Sequence, residues 1–98
     1  MNVQPEHADQ VDDEASFARF LLLLAEDRQG VEEKERGAPS SPYGPDAHGW
    51  ENGRIDTFLD AAWACWDGNM RAHGTIGVQS TNPWTRAAHI ILRGKFYE

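Results

Sequence analysis

A chain of 98 residues with one cysteine and a net charge of −7 makes one small domain without an intrachain disulfide, and its acidity repels phosphate, so nucleic-acid binding is not expected. Residues 1–51 carry twelve carboxylates against Arg19, Arg28, Lys34 and Arg36, a balance of −8; residues 52–98 carry four against five cations, a balance of +1. The longest apolar run, Phe20 to Ala25, is far short of the ~20 residues of a membrane span.

Residues 1–11 are polar, contain Pro5 and show no apolar period, which predicts a flexible tail. A helical domain is expected over 12–98. Its first helix opens on Asp12 or Asp13, whose carboxylate can accept bonds from the free N–H groups of a first turn. Phe17, Phe20, Leu21 and Leu24 then follow at i, i+3, i+4 and i+7, a single helical stripe. Leu22 and Leu23 widen it, so this helix needs two neighbours or a second protein to cover it. Gly30 is its expected stop.

Residues 31–48 read as a mobile insertion. A charged stretch, Glu32 to Arg36, precedes a Gly/Pro-rich run from Gly37 to Pro45 that can hold neither a helix nor a central strand. The charged part could also extend the first helix.

The second helix opens at Asn52 or Gly53. Ile55, Phe58, Leu59, Ala62, Trp63 and Trp66 form a clean amphipathic stripe, with Asp56, Thr57 and Asp60 off it. Asp67-Gly68-Asn69 is its expected end. A loop over 69–81 follows, from which Ile76 and Val78 can cover the open end of the core. The third helix starts at Asn82-Pro83, a cap followed by a proline suited to the first helical position. Trp84, Ala87, Ala88, Ile91 and Leu92 form its stripe; Arg86, His89 and Arg93 are expected to face away. The fold class is thus all-α: three helices, with a long Gly/Pro-rich loop between the first two. The buried tryptophans should decide whether so small a core folds. Trp63, inside the stripe, should cost several kcal/mol on truncation to alanine.

The order of motifs carries a resemblance. Val11 to Leu21 is followed by Trp50-Glu51-Asn52, Phe58-Leu59-Asp60-Ala61, Trp66, Trp84 and a closing Tyr97-Glu98. This resembles an uncharacterised family of small bacterial proteins, a domain of unknown function with WEN, FL-A and C-terminal YE motifs. The resemblance implies a bacterial, cytoplasmic, all-helical domain and names no catalytic residue. The long linker at 31–48 departs from the family pattern.

No constellation points to catalysis. Asp56 and Asp60 share a helix face but lie on its solvated side. Cys65 flanks the tryptophan stripe with no motif linking it to a histidine base. His7, His48, His73 and His89 have no metal-ligand spacing, so neither a metal nor a cofactor is expected. The candidate partner-binding residues are Trp50 and Glu51, beside the linker, and Tyr97 and Glu98 at the C-terminus; against this, Asn52 can cap the second helix with Trp50 packed on its first turn. The expected function is protein interaction by a small cytoplasmic accessory protein, in one version an immunity-like or inhibitory protein with a basic partner. Two alternatives stay open: a small-ligand pocket lined by Trp50, Trp66 and Trp84, and weak nucleic-acid binding by a basic outer face of Arg86, Arg93 and Lys95.

Overall fold

The computed structural model describes residues 2–37 and 49–97, with side chains described outside 32–37. Among them all regular structure is helical, in four elements: α1 Pro5–Asp9, α2 Glu14–Gly37, α3 Ile55–His73 and α4 Pro83–Phe96. The all-α class holds, with one helix more than the periodicity predicts.

The additional helix lies in the expected tail. Pro5 begins α1, where a missing N–H costs nothing. Ala8 within it and the flanking Val3 and Val11 are buried. Three small apolar residues at irregular spacing give no stripe to read, but α1 packs against α4. His89 is buried against Asp9, with Nε2 2.7 Å from Oδ1, and so does not face away. Arg86 and Arg93 are half-buried and donate to the carbonyls of Ser80 and Ile76.

Two caps match their sequence signatures. Asp13 Oδ1 accepts the Ser16 N–H at 2.8 Å, while Ser16 Oγ accepts the N–H groups of Asp12 and Asp13. The bond from the Ser16 N–H, then the Ser16 hydroxyl beside the carboxylate and a smaller contribution from Arg19, hold the Asp13 carboxyl below its usual value of 3.8. Asn82 Oδ1 accepts the N–H of Trp84 at 2.9 Å and of Thr85 at 3.4 Å. Its amide donates to Asp12 O at 2.9 Å, and the Thr85 hydroxyl donates to Val11 O. The starts of α2 and α4 are thereby tied together.

Three boundaries differ from expectation. α2 continues through Gly37, so the start of the expected insertion is helical; residues 38–48 lie outside the described residues. α3 passes through Gly68-Asn69 to His73. Its helical glycine costs about 1 kcal/mol relative to alanine, set against continued packing on α4, and Asn69 donates back to Cys65 O at 2.8 Å. The helix stops at Gly74, whose φ of 69° is left-handed. Asn52 does not cap α3, which begins after Arg54 without a side-chain cap.

α4 is the shared element, against which α1, α2 and α3 each pack; α2 and α3 scarcely touch. α3 and α4 come close at Gly94, where a Cβ would lie 2.5 Å from Phe58 O. The buried face of α3 is made of small residues, Ala61, Ala62 and Cys65. At 100° per residue, that face is rotated by roughly 80° from the centre of the predicted stripe. Small side chains and a glycine let two backbones approach closely, and this packing displaces the larger residues outward. Trp63 is accordingly 58% exposed, a correction to its predicted core position. It stacks on Trp66 with ring centroids 5.4 Å apart.

Candidate docking groove

The motif Trp50-Glu51-Asn52 closes one end of the molecule. Trp50 is only 7% exposed. Its Nε1 donates to Asp27 Oδ2 at 3.2 Å, and its ring lies 5.6 Å from that of Phe58. Glu51 N–H donates to Lys95 O at 2.8 Å. The Asn52 amide donates to Gly94 O at 2.9 Å and also to Tyr97 O. These are carbonyls that the end of α4 leaves without helical partners. Asn52 thus caps the C-terminus of the last helix and not the start of its own.

Behind this cap is a fully buried ion pair. Lys95 Nζ lies 2.7 Å from Asp27 Oδ2, both side chains wholly removed from solvent. The ammonium also donates to Val3 O at 2.9 Å and Asn2 Oδ1 at 2.7 Å, which satisfies its three donors. Asp27 Oδ2 further receives the Val3 N–H at 3.2 Å, and the Lys95 ammonium stands 5.5 Å from the Trp50 ring centroid. Lys95 is therefore interior, not part of an outer basic face. Its long stem spans the core to reach a carboxylate two helices away, a pairing with no signature in local sequence.

Of the predicted partner-binding residues, Trp50, Glu51 and Tyr97 are brought to this one end, and Glu98 lies outside the described residues. Tyr97 is partly exposed, and Trp50 is a core residue. The proposed tryptophan pocket does not assemble. Trp66 stacks on Trp63, and Trp84 lies 5.7 Å from Phe17 at the other end of α4. Cys65 is buried, with Sγ 3.4 Å from the Asn69 amide. No group of residues suited to a metal ion occurs among the described residues, and no helix there is long and apolar enough to cross a membrane.

The surface that stands out is one the motifs do not mark. Ile55, Leu59 and Trp63, one turn apart on α3, are 81%, 55% and 58% exposed. They form one continuous apolar row. Beside the row opens a groove of about 350 Å³ between α2 and α3. Leu21, Leu24, Ala25 and Arg28 of α2 form one wall, and Ile55, Phe58 and Leu59 form the other. Ile91 of α4 and the edge of Trp50 form its floor. The groove exists because α4 holds α2 and α3 apart while both turn an apolar edge toward the gap. One signal for it is present in the sequence: on α3 the apolar positions, including Ala61 and Cys65, span an arc of roughly 200° at 100° per residue, wider than one packed neighbour covers.

No family model, curated protein or solved structure matches the chain.

Proposed function

We propose that this protein is a protein-interaction module whose groove between α2 and α3 receives an apolar helix of a partner. The observation that carries the reading is the exposed row Ile55–Leu59–Trp63, continuous with an open apolar groove. Contiguous exposed apolar surface of this kind marks interaction sites in soluble domains. Burying three such side chains would contribute roughly 1.5–3 kcal/mol each before the costs of association, so the row would anchor a contact to which the groove walls must add. The walls are apolar helix faces, which suits helix-in-groove docking. An accessory role, of which an immunity-like or inhibitory protein is one version, suits a small chain whose surface offers such a row and groove.

A photo-crosslinking residue in place of Leu59 tests this directly in the native cell. It should capture a defined protein that the same residue in place of Glu14, on an exposed site away from the groove, does not. Identical products at both positions, or none at Leu59, would sink the reading.

A further inference from the structure

The groove has a charge pattern along its outer border that specifies more than an apolar ligand. At 100° per residue, Asp56, Asp60 and Asp67 lie on the same side of the Ile55–Leu59–Trp63 row, roughly 60–100° around α3 from Leu59. Asp56 is bridged by Arg54 and Asp67 by Arg71, each at 3.0 Å. Asp60 is exposed and has no such bridge among the described residues. Along this edge three carboxylates stand against Arg54 and Arg71, a balance of −1 that rests on Asp60, on a chain of −7. Two cations line the groove itself: Arg54, which holds Asp56, and Arg28, which lies over the Trp50 ring at 5.9 Å from its centroid.

From this we infer that the occupant of the groove is a basic amphipathic helix: an apolar stripe that covers Leu59 and Trp63, flanked by lysine or arginine on the side facing Asp60 and Asp67. The inference rests on the docking reading and adds the partner's chemistry to it. A second copy of this chain fits less well. Pairing two α3 rows antiparallel about a two-fold axis sets the Asp60 edge of one copy beside the Asp60 edge of the other, and like charges so placed repel. A basic helix gains from the same edge, and the overall acidity steers its approach.

Two synthetic amphipathic helices of about four turns, capped at both ends, test the idea. They share one leucine face and carry either lysine or glutamate on the flanks. Titrated into the full-length protein and followed by tryptophan emission and calorimetry, the lysine peptide should bind at least about tenfold tighter at low salt, with the advantage shrinking as salt is added. The charge-neutral double variant Leu59→Ser/Trp63→Ser, checked for intact helicity, should lose binding of the lysine peptide by about tenfold or more. Asp60→Asn should lower the lysine peptide's affinity a few-fold and leave the glutamate peptide's unlowered.

If both peptides bind equally and both lose affinity in the double variant, the groove docks helices but the basic partner is overturned. Binding of the lysine peptide that survives in the double variant is general charge attraction and overturns the inference too. Binding of neither peptide overturns the docking reading along with it. Self-association of the protein that disappears in the double variant assigns the groove to a second copy and overturns the basic partner.

Discussion

Trp50 and Trp63 are thirteen positions apart and have opposite fates. Trp50 stands in a loop with no periodic neighbours, yet its ring is buried, its N–H is bonded to Asp27 and a lysine ammonium lies against its face. Trp63 sits within the cleanest amphipathic stripe of the chain, yet most of it meets solvent. The difference teaches that a helical stripe gives the direction of apolar surface but not which edge of it another helix will choose. At α3 the choice went to the small edge, because Gly94 permits a close approach that no larger residue would allow. Large side chains were left on the surface.

The comparison can be broken most severely at the closed end. Asp27→Ala leaves the Lys95 ammonium buried without its carboxylate and should cost about 3–5 kcal/mol, enough to unfold much of so small a domain at room temperature. Denaturant unfolding followed by circular dichroism measures it. A variant whose midpoint stays near wild type would mean that the buried pair does not hold this end together.

The two tryptophans give the next contrast. Trp50→Ala should cost about 3–5 kcal/mol. Trp63→Ala should cost about 1 kcal/mol or less, mostly through lost stacking on Trp66, while abolishing capture of a partner helix. If both truncations destabilise equally, the assignment of one to the core and the other to a docking row fails.

Gly94→Ala tests why α3 is rotated. A methyl group 2.5 Å from Phe58 O must push the helices apart, at about 1–3 kcal/mol or more. Separating them should also shift the emission of the tryptophans that border the interface. A Gly94→Ala protein as stable as wild type would show that close approach is not what orients α3.

The smallest effect is expected at Asp13, on the exposed start of α2. Its carboxyl is held below the usual value by the Ser16 bonds. A depressed carboxylate stabilises the folded chain above its unfolded pKa and loses that contribution as pH falls through the folded value. Melting curves of wild type and Asp13→Ala should therefore differ near neutrality and converge in acid, once the folded-state carboxyl is protonated. A gap that persists unchanged in acid would assign the effect to something other than the charge.

Legibility in the sequence followed locality. The Asn82-Pro83 cap and the Asp13 start depend on neighbours within four residues, and both were readable. So were the apolar stripes of α2, α3 and α4. The short α1 was not, because Val3, Ala8 and Val11 acquire meaning only against α4. Asn52 reads locally as an N-cap, but its amide serves carbonyls more than forty positions away. Lys95 reads as a surface cation at a helix end, where the dipole favours it, until Asp27 is placed opposite. For the groove, only the width of the apolar surfaces was legible: Leu21 beside Leu24 on α2, and the broad arc on α3.

The sequence by itself determined that this chain is helical, that it has no second thiol for an intrachain disulfide, that its charge is concentrated in the first half, and that its helices carry more apolar surface than a three-helix core needs. Period, capping chemistry and composition act over a few residues, so one dimension suffices for them. Tertiary structure alone decided which edges are buried. That outcome depends on how near two backbones can come and on which distant charges meet, and both are set by pairs such as Gly94 with Phe58 and Lys95 with Asp27.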